Sequence, residues 1–255
     1  MTDALFLADF DGQPPAVGQH WTLTGPEARH AATVRRIGPG ERVVIGDGAG
    51  FAITGVVTAT GKDTLTIEVT EHRRLPASTH RWVAVQAIAK GDRSELAVEM
   101  LTEQGIDEVI AWQAARSIAR WSAEKAPKAL ARWRNTAREA TKQSRRLRIP
   151  KVTGPVTTKH LLQRVAAADL ALIWHETATD TIAELTLPEQ GEVLFVTGPE
   201  GGISDDELQQ LVDAGARPVL LSDGVLRTST AGVVGLAQLH LLRALATPRG
   251  PESAR

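Results

Sequence analysis

Apolar positions change character along this chain. Up to about residue 73 they come in short runs, at residues 4–8, 21–23, 42–45, 52–59 and 64–69. Leu65, Ile67 and Val69 alternate with polar neighbours, the period of a half-buried strand. Asp47-Gly48 and Gly61-Lys62-Asp63 read as turns between the runs. About five short strands joined by tight turns predict a small β-barrel. One short helix, opened by Gly25-Pro26-Glu27 and running on to Val34, interrupts it.

Leu75-Pro76-Ala77-Ser78 reads as a linker, and beyond it strand and helix patterns alternate. Strands are expected at 82–89, 106–112, 170–174, 193–196 and 218–221. Helices are expected at 92–104, where Asp92 and Glu95 suit a capping box and Gly105 a stop, and from Pro127 to about Arg146. Further helices are expected at 159–168, 204–215 and 230–245. Such alternation predicts an α/β domain with a mostly parallel sheet covered on both faces. The expected organisation is therefore a barrel over residues 1–74 and an α/β domain over 75–255.

Composition narrows the chemistry. The chain has 255 residues, 42% of them hydrophobic and 23% charged, enough for two modest domains. With no cysteine, disulfides, thiolate metal sites and cysteine nucleophiles are excluded. The seven histidines include no pair at HExxH-type spacing, so no metal is called for. The start, MTDALFLADFDG, lacks the basic and apolar regions of a signal peptide. No apolar stretch reaches the length of a membrane span, and a cytoplasmic location is expected.

The net charge of −1 is uninformative until its distribution is considered. Arg134, Arg138, Lys142, Arg145 and Arg146 recur at intervals of three or four along one predicted helix, which sets them on one face. Leu130, Trp133, Ala137 and Ala140 have the spacing of the opposite, buried face. Glu139 is the one acid within the run. A stripe of this kind suits phosphates. It also suits a solvated helix face.

Two loops carry the remaining signal. Thr197-Gly198-Pro199-Glu200-Gly201-Gly202-Ile203 follows a strand and precedes a helix opened by Ser204-Asp205-Asp206-Glu207. That is the layout of a ligand-binding turn at the carboxyl end of a strand. It is equally the layout of an ordinary strand-to-helix turn. The loop is neither GxGxxG nor a P-loop. The three acids at the helix start would repel a polyphosphate and tolerate a cationic, phosphate-free ligand. The second loop, Ser222-Asp223-Gly224-Val225-Leu226-Arg227-Thr228-Ser229-Thr230-Ala231, either lines a site or caps the last helix.

Taken in order, these segments resemble the RsmE family of the SPOUT class, bacterial enzymes that form 3-methyluridine in small-subunit ribosomal RNA. His30-Ala31-Ala32-Thr33-Val34-Arg35-Arg36 is similar to the family's H-x-x-x-V-L-R, with Arg35 in the Leu position. Lys90, Asp92 and Thr102-Glu103-Gln104-Gly105 follow K-x-D and T-E-L-G, and Arg116-Ser117 matches an R-S pair. Glu139-Ala140-Thr141-Lys142-Gln143-Ser144-Arg145-Arg146 matches E-A-x-x-Q-S-x-R. Gly198-Pro199-Glu200-Gly201-Gly202 is identical to G-P-E-G-G. Leu226-Arg227-Thr228-Ser229-Thr230-Ala231 matches L-R-T-E-T-A, with Ser229 in the Glu position.

The resemblance implies a PUA-like β-barrel for RNA and a SPOUT methyltransferase domain with a trefoil knot, assembled as a homodimer. It implies S-adenosyl-L-methionine held by Gly198–Gly202 and by the loop from Leu221 to Ala231. The contacts expected there are Gly198, Pro199, Glu200, Gly201 and Gly202, then Leu221, Ser222, Val225, Leu226, Arg227, Thr228 and Ala231. The substrate implied is 16S ribosomal RNA of the small subunit. Arg227 and Arg116 are candidates to stabilise a developing uracil anion, and Glu139 and Glu200 are candidate bases. His30, Arg36, Arg134, Arg138, Lys142, Gln143, Arg145 and Arg146 are the expected RNA contacts. A SPOUT enzyme with another RNA target, and a non-catalytic RNA-binding assembly factor, stand as the alternatives.

Overall fold

A computed structural model describes residues 3–246, so residues 1–2 and 247–255 of the two expected spans lie outside the described residues. The chain divides into two compact units. One comprises residues up to 77 together with Arg138–Ile149, and the other comprises Ser78–Ala137 and the chain from Pro150.

The first unit is built on strands β1 (Ala4–Leu7), β2 (His20–Thr24), β3 (Arg42–Gly46), β4 (Phe51–Thr60) and β5 (Thr64–Arg74). They form one mixed sheet in the order β1-β3-β4-β5-β2, with β1 parallel to β3 and the other pairs antiparallel. Among the described residues β1 and β2 are not hydrogen-bonded to each other. The expected barrel is therefore a curled, open sheet. Two register shifts along β4 and β5, at Thr54/Gly55 and Val57/Ala59, supply curvature. The alternation expected of β5 is present, with Leu65, Ile67 and Val69 buried against Phe6, Ile45 and Ile53. Helix α1 (Gly25–Arg29) runs directly into a π-helical turn, His30–Val34, as one helical segment of the expected length. A smaller apolar cluster, Leu5, Val44, Ala52 and Leu147, fixes the segment Arg138–Ile149 to this sheet.

The second unit holds β6 (His80–Ala87), α2 (Arg93–Gln104), β7 (Glu108–Trp112), α3 (Ala126–Gln143), β8 (Lys151–Val156) and α4 (Thr158–Ala167). These are followed by β9 (Leu170–Trp174), β10 (Gly191–Thr197), α5 (Asp205–Asp213), β11 (Arg217–Val219) and α6 (Thr228–Ala246). The last six residues of α3 belong to the first unit. All six strands are parallel, in the order β11-β9-β10-β6-β7-β8. Their near-continuous apolar runs reflect burial on both faces. Val83, Val85, Ile110, Ile173, Leu194 and Val196 pack against Leu161 and Val165 of α4 and Leu211 of α5. On the other face α6 packs over β6, β9 and β10. Gly232 and Gly235 permit that approach, because a Cβ on Gly235 would lie 2.5 Å from Trp174 Cζ2 and one on Gly232 3.4 Å from Thr197 Oγ1.

Three local expectations are corrected. Strand β8, which contains Gly154 and Pro155, is not among the expected strands. It lies at the sheet edge, where a proline is tolerated. The Asp92–Glu95 capping box does not form: Asp92 has helical dihedrals and no side-chain cap bond. Ser94 Oγ instead accepts the Ala89 N–H at 2.8 Å. The long helix stops at Gln143 rather than near Arg146.

Candidate functional site

Strands β6 and β10 are neighbours, but β6 connects onward to β7 on one side, while β10 connects onward to β11 beyond β9. This is a switch point of the parallel sheet, and the carboxyl ends of such strands leave a crevice for ligands. The loops after β9, β10 and β11 converge there on a cavity of about 290 Å³. Gly198, Pro199, Glu200 and Gly202 line it from the first expected loop, and Val225, Leu226, Arg227, Thr228 and Ala231 from the second. A smaller adjoining hollow takes in Leu221 and Ser222. Gly201 faces away: a Cβ there would stand 3.0 Å from Arg116 O, so its lack of a side chain lets the loop rest on the Arg116 segment.

The loop after β9 was missed. Trp174, His175 and Glu176 line both hollows. The available signal was a polar run, His175 to Thr181, directly after a buried strand, the same layout as the two expected loops.

A polar clamp joins the loops from beneath. Thr228 Oγ1 donates to Gly198 O at 2.7 Å and accepts from Gln86 Nε2 at 3.0 Å. Gln86 Nε2 also reaches Thr228 O at 3.2 Å. Gln86 stands in β6 and is almost fully buried. One side chain thus ties β6, the glycine loop and the start of α6. Glu200 fixes the glycine loop a second time, accepting the Lys90 N–H at 3.0 Å through Oε1, with Arg93 at 3.7 Å. Its Oε2 is buried without a partner.

The predicted residues separate into groups. Arg227 is exposed at the cavity and makes no ion pair among the described residues. Arg116 is half-exposed and engaged, donating to Ile203 O at 3.3 Å and lying 3.9 Å from Asp205. Its segment is held by Glu207, which is buried and accepts the Ala115 N–H at 2.9 Å and the Thr158 hydroxyl at 2.7 Å. Ser204 caps α5 as expected, accepting from Glu207 N. Ser229 is buried in the first turn of α6. Glu139 lies in the first unit and pairs with Lys142 at 3.1 Å.

The basic stripe is not acid-free in three dimensions. Lys142 is buried, its Nζ 3.0 Å from Glu27 Oε1, and Arg138 pairs with the same oxygen at 3.2 Å. Both were expected to be open to phosphates, and Glu27 lies too far back in the sequence for the helix pattern to reveal it. Arg134 Nε donates to Val152 O. Gln143, Arg145, Arg146 and Arg36 are exposed, and His30 is half-buried beside Phe6. The opposite helix face, Leu130, Trp133, Ala137 and Ala140, is buried as its spacing requires.

A parallel α/β domain with a polar, glycine-lined cavity at its switch point, in a chain that also carries a small curled β unit, is the build of an RNA methyltransferase. A model described as RNA methyltransferase domain matches residues 76–240, and one described as RNA methyltransferase PUA domain matches residues 23–70. A relative from Mycobacterium bovis, ribosomal RNA small subunit methyltransferase E, is 45% identical over 232 residues, covering 89% of this chain and 88% of its own. The Bacillus subtilis protein of that name is 31% identical, covering 88% and 92%. The crystal structure of a Neisseria gonorrhoeae ribosomal RNA small subunit methyltransferase E bound to S-adenosyl methionine superposes with a TM-score of 0.81. It is 26% identical and covers 94% of this chain and 98% of its own. A Legionella pneumophila protein solved in complex with the same cofactor gives a TM-score of 0.82 at 25% identity, with 95% and 98% covered. The chain belongs to the ribosomal RNA small subunit methyltransferase E family.

Proposed function

We propose that this protein transfers a methyl group from S-adenosyl-L-methionine to N3 of a specific uridine in 16S ribosomal RNA. The observation that carries this reading is the meeting of the two glycine-bearing loops in one cavity, clamped by Thr228. The cavity suits that cofactor. Its wall combines apolar Trp174, Ile203, Leu226 and Ala231 with loop backbone. The orphaned Glu200 Oε2 offers an acceptor to an ammonium or hydroxyl. The acids of the first turn of α5 disfavour a polyphosphate there.

When bound, the cofactor supplies an electrophilic methyl group. The rest falls to the protein. Uridine N3 lies on the pairing edge, so the base must be splayed out to be reached. Arg227, unpaired at the cavity, stabilises negative charge developing on the uracil oxygens. Arg116 supports the glycine loop rather than the base. Of the two candidate carboxylates, Glu200 lines the cavity, whereas Glu139 is engaged by Lys142.

In this reading the first unit is the RNA-binding PUA-like part, and the 75–255 span, apart from residues 75–77 and 138–149 that belong to the first unit, is the catalytic domain. The return of the chain from edge strand β11 to α6, packed over β6, β9 and β10, closes a trefoil knot. The enzyme works in the cytoplasm as a homodimer, joined through α6, whose Leu241 and Leu245 are exposed. Sedimentation giving a monomer mass would remove the dimer.

The deciding experiment is methyl transfer from labelled S-adenosyl-L-methionine to small subunits lacking the modification, followed by nucleoside analysis. The expected product is 3-methyluridine. No incorporation by folded protein that still binds RNA would leave a non-catalytic binding factor, and a different methylated nucleoside would move the target.

A further inference from the structure

Helix α3 ends in an unusual way. The Arg146 N–H donates to Thr141 O at 3.0 Å and the Arg145 N–H to Lys142 O at 3.2 Å. These are the two bonds of a Schellman motif, whose left-handed position normally belongs to glycine. Here Arg145 occupies it, with φ 57°. A long side chain is held where its backbone is disfavoured. The same chain uses glycine for this purpose at Gly105, with φ 95°.

The side chain so placed lines a pocket of about 110 Å³ within the first unit, along edge strand β1. Arg35, His30, Gln143 and Lys142 line it too, and no carboxylate is among the lining residues. Lys142 forms part of the wall with its charge already answered by Glu27 and Glu139. Arg35 and Arg145 are exposed and make no ion pair among the described residues. The outward edge of β1 adds backbone groups left unpaired by the sheet. Two free guanidiniums, with an imidazole and an amide in the same lining, form a donor-rich cleft for an oxyanion.

We propose that this pocket is a phosphodiester subsite for RNA, with Arg145 and Arg35 as its two grips, and that the left-handed conformation of Arg145 is retained for this contact. The proposal rests on the RNA-substrate reading above. Strain of this kind persists where it serves a site. It yields a test in which stability and binding move apart. Arg145→Gly relieves the backbone, so the midpoint of thermal unfolding should hold or rise. Affinity for unmodified small-subunit ribosomal RNA, read by filter retention at low salt, should fall about tenfold. The slope of log affinity against log salt should become less negative by about 0.7–0.9, one phosphate contact. Arg145→Asn tolerates the same conformation without charge and should match the glycine variant. Arg145→Lys should keep most of the affinity.

Wild-type affinity and salt slope in Arg145→Gly would overturn the subsite, as would a fall in stability alongside affinity, which would make Arg145 a structural residue. Methyl incorporation by the wild type in the same RNA preparation separates the two levels. Incorporation with unchanged Arg145→Gly binding sinks the subsite alone. Absence of both binding and incorporation by the wild type sinks the RNA reading itself.

Discussion

Thr228 is the point at which the two loops of the cavity are tied together. Thr228→Val keeps the shape of the side chain and removes its hydroxyl. Gly198 O then loses its donor at 2.7 Å, and Gln86 Nε2 loses one acceptor while keeping Thr228 O at 3.2 Å and Ala87 O at 3.3 Å. The larger loss is therefore the glycine-loop carbonyl. Leaving such a group unsatisfied costs about 1–3 kcal/mol, roughly 2–4 °C in unfolding midpoint for each kcal/mol in a chain of this size. The same bond sets the separation of the two loops, so S-adenosyl-L-methionine should bind about tenfold more weakly by calorimetry, or about 1.4 kcal/mol. Thr228→Ser restores the donor and should recover the cofactor affinity to within about threefold, at the expense of a buried methyl worth about 1 kcal/mol. A valine variant that binds cofactor as the wild type does would refute the clamp, whatever its stability.

Two further perturbations probe opposite ends of the sheet. Gly201→Val places side-chain atoms where Arg116 O already stands 3.0 Å from the first of them, so the glycine loop must shift. Cofactor binding should be lost in titration calorimetry while circular dichroism reports a folded protein. At the amino-terminal edge, Arg81 bridges Glu192 and buried Glu108, the latter at 2.5 Å, and Arg164 reaches Glu192 at 2.9 Å and Glu108 at 3.5 Å. Burial acts to lower the Arg81 pKa, and the two carboxylates more than offset it, leaving the pKa raised above its ordinary value. A raised pKa contributes stability present below the unfolded value and lost only as pH climbs through the folded one. For an arginine both lie above the working range, so this contribution is flat from about pH 6 to 9. Arg81→Met should destabilise by about 1–3 kcal/mol, at the low end because Arg81 is 42% exposed and Arg164 remains. The cofactor constant should stay unchanged.

What could be read from the sequence was whatever is local. Buried parallel strands are continuous apolar runs, and β9 was bounded to the residue because Leu170–Trp174 is apolar throughout, with Asp169 before it and the polar stretch from His175 after it. The glycine and LRTSTA loops were legible because each is a contiguous motif immediately after such a run. The loop at His175 has the same placement but no glycine and no motif, and it emerges only when β9 is seen beside β10 and β11. Gln86 was invisible for a related reason. It is a polar residue inside an apolar strand, and its partner Thr228 is 142 positions away.

Charge is where local reading fails most instructively. Within residues 132–151 the basic residues face one acid, Glu139, and helix periodicity sets Arg134, Arg138, Lys142 and Arg145 on one stripe. Folding then divides that stripe by partners the periodicity cannot see. Glu27 and Glu139 pair with Arg138 and Lys142, and the Val152 carbonyl takes Arg134. Arg145 keeps its charge free, and it is the residue whose backbone is held in a conformation that a glycine would adopt more cheaply. A helix pattern therefore identifies a basic surface without identifying the contact. The contact is better marked by a cation that stays unpaired at a helix-capping position that glycine would fill more cheaply. By that criterion the strength of RNA binding here should depend more on Arg145 than on Lys142, even though Lys142 lies at the centre of the sequence motif.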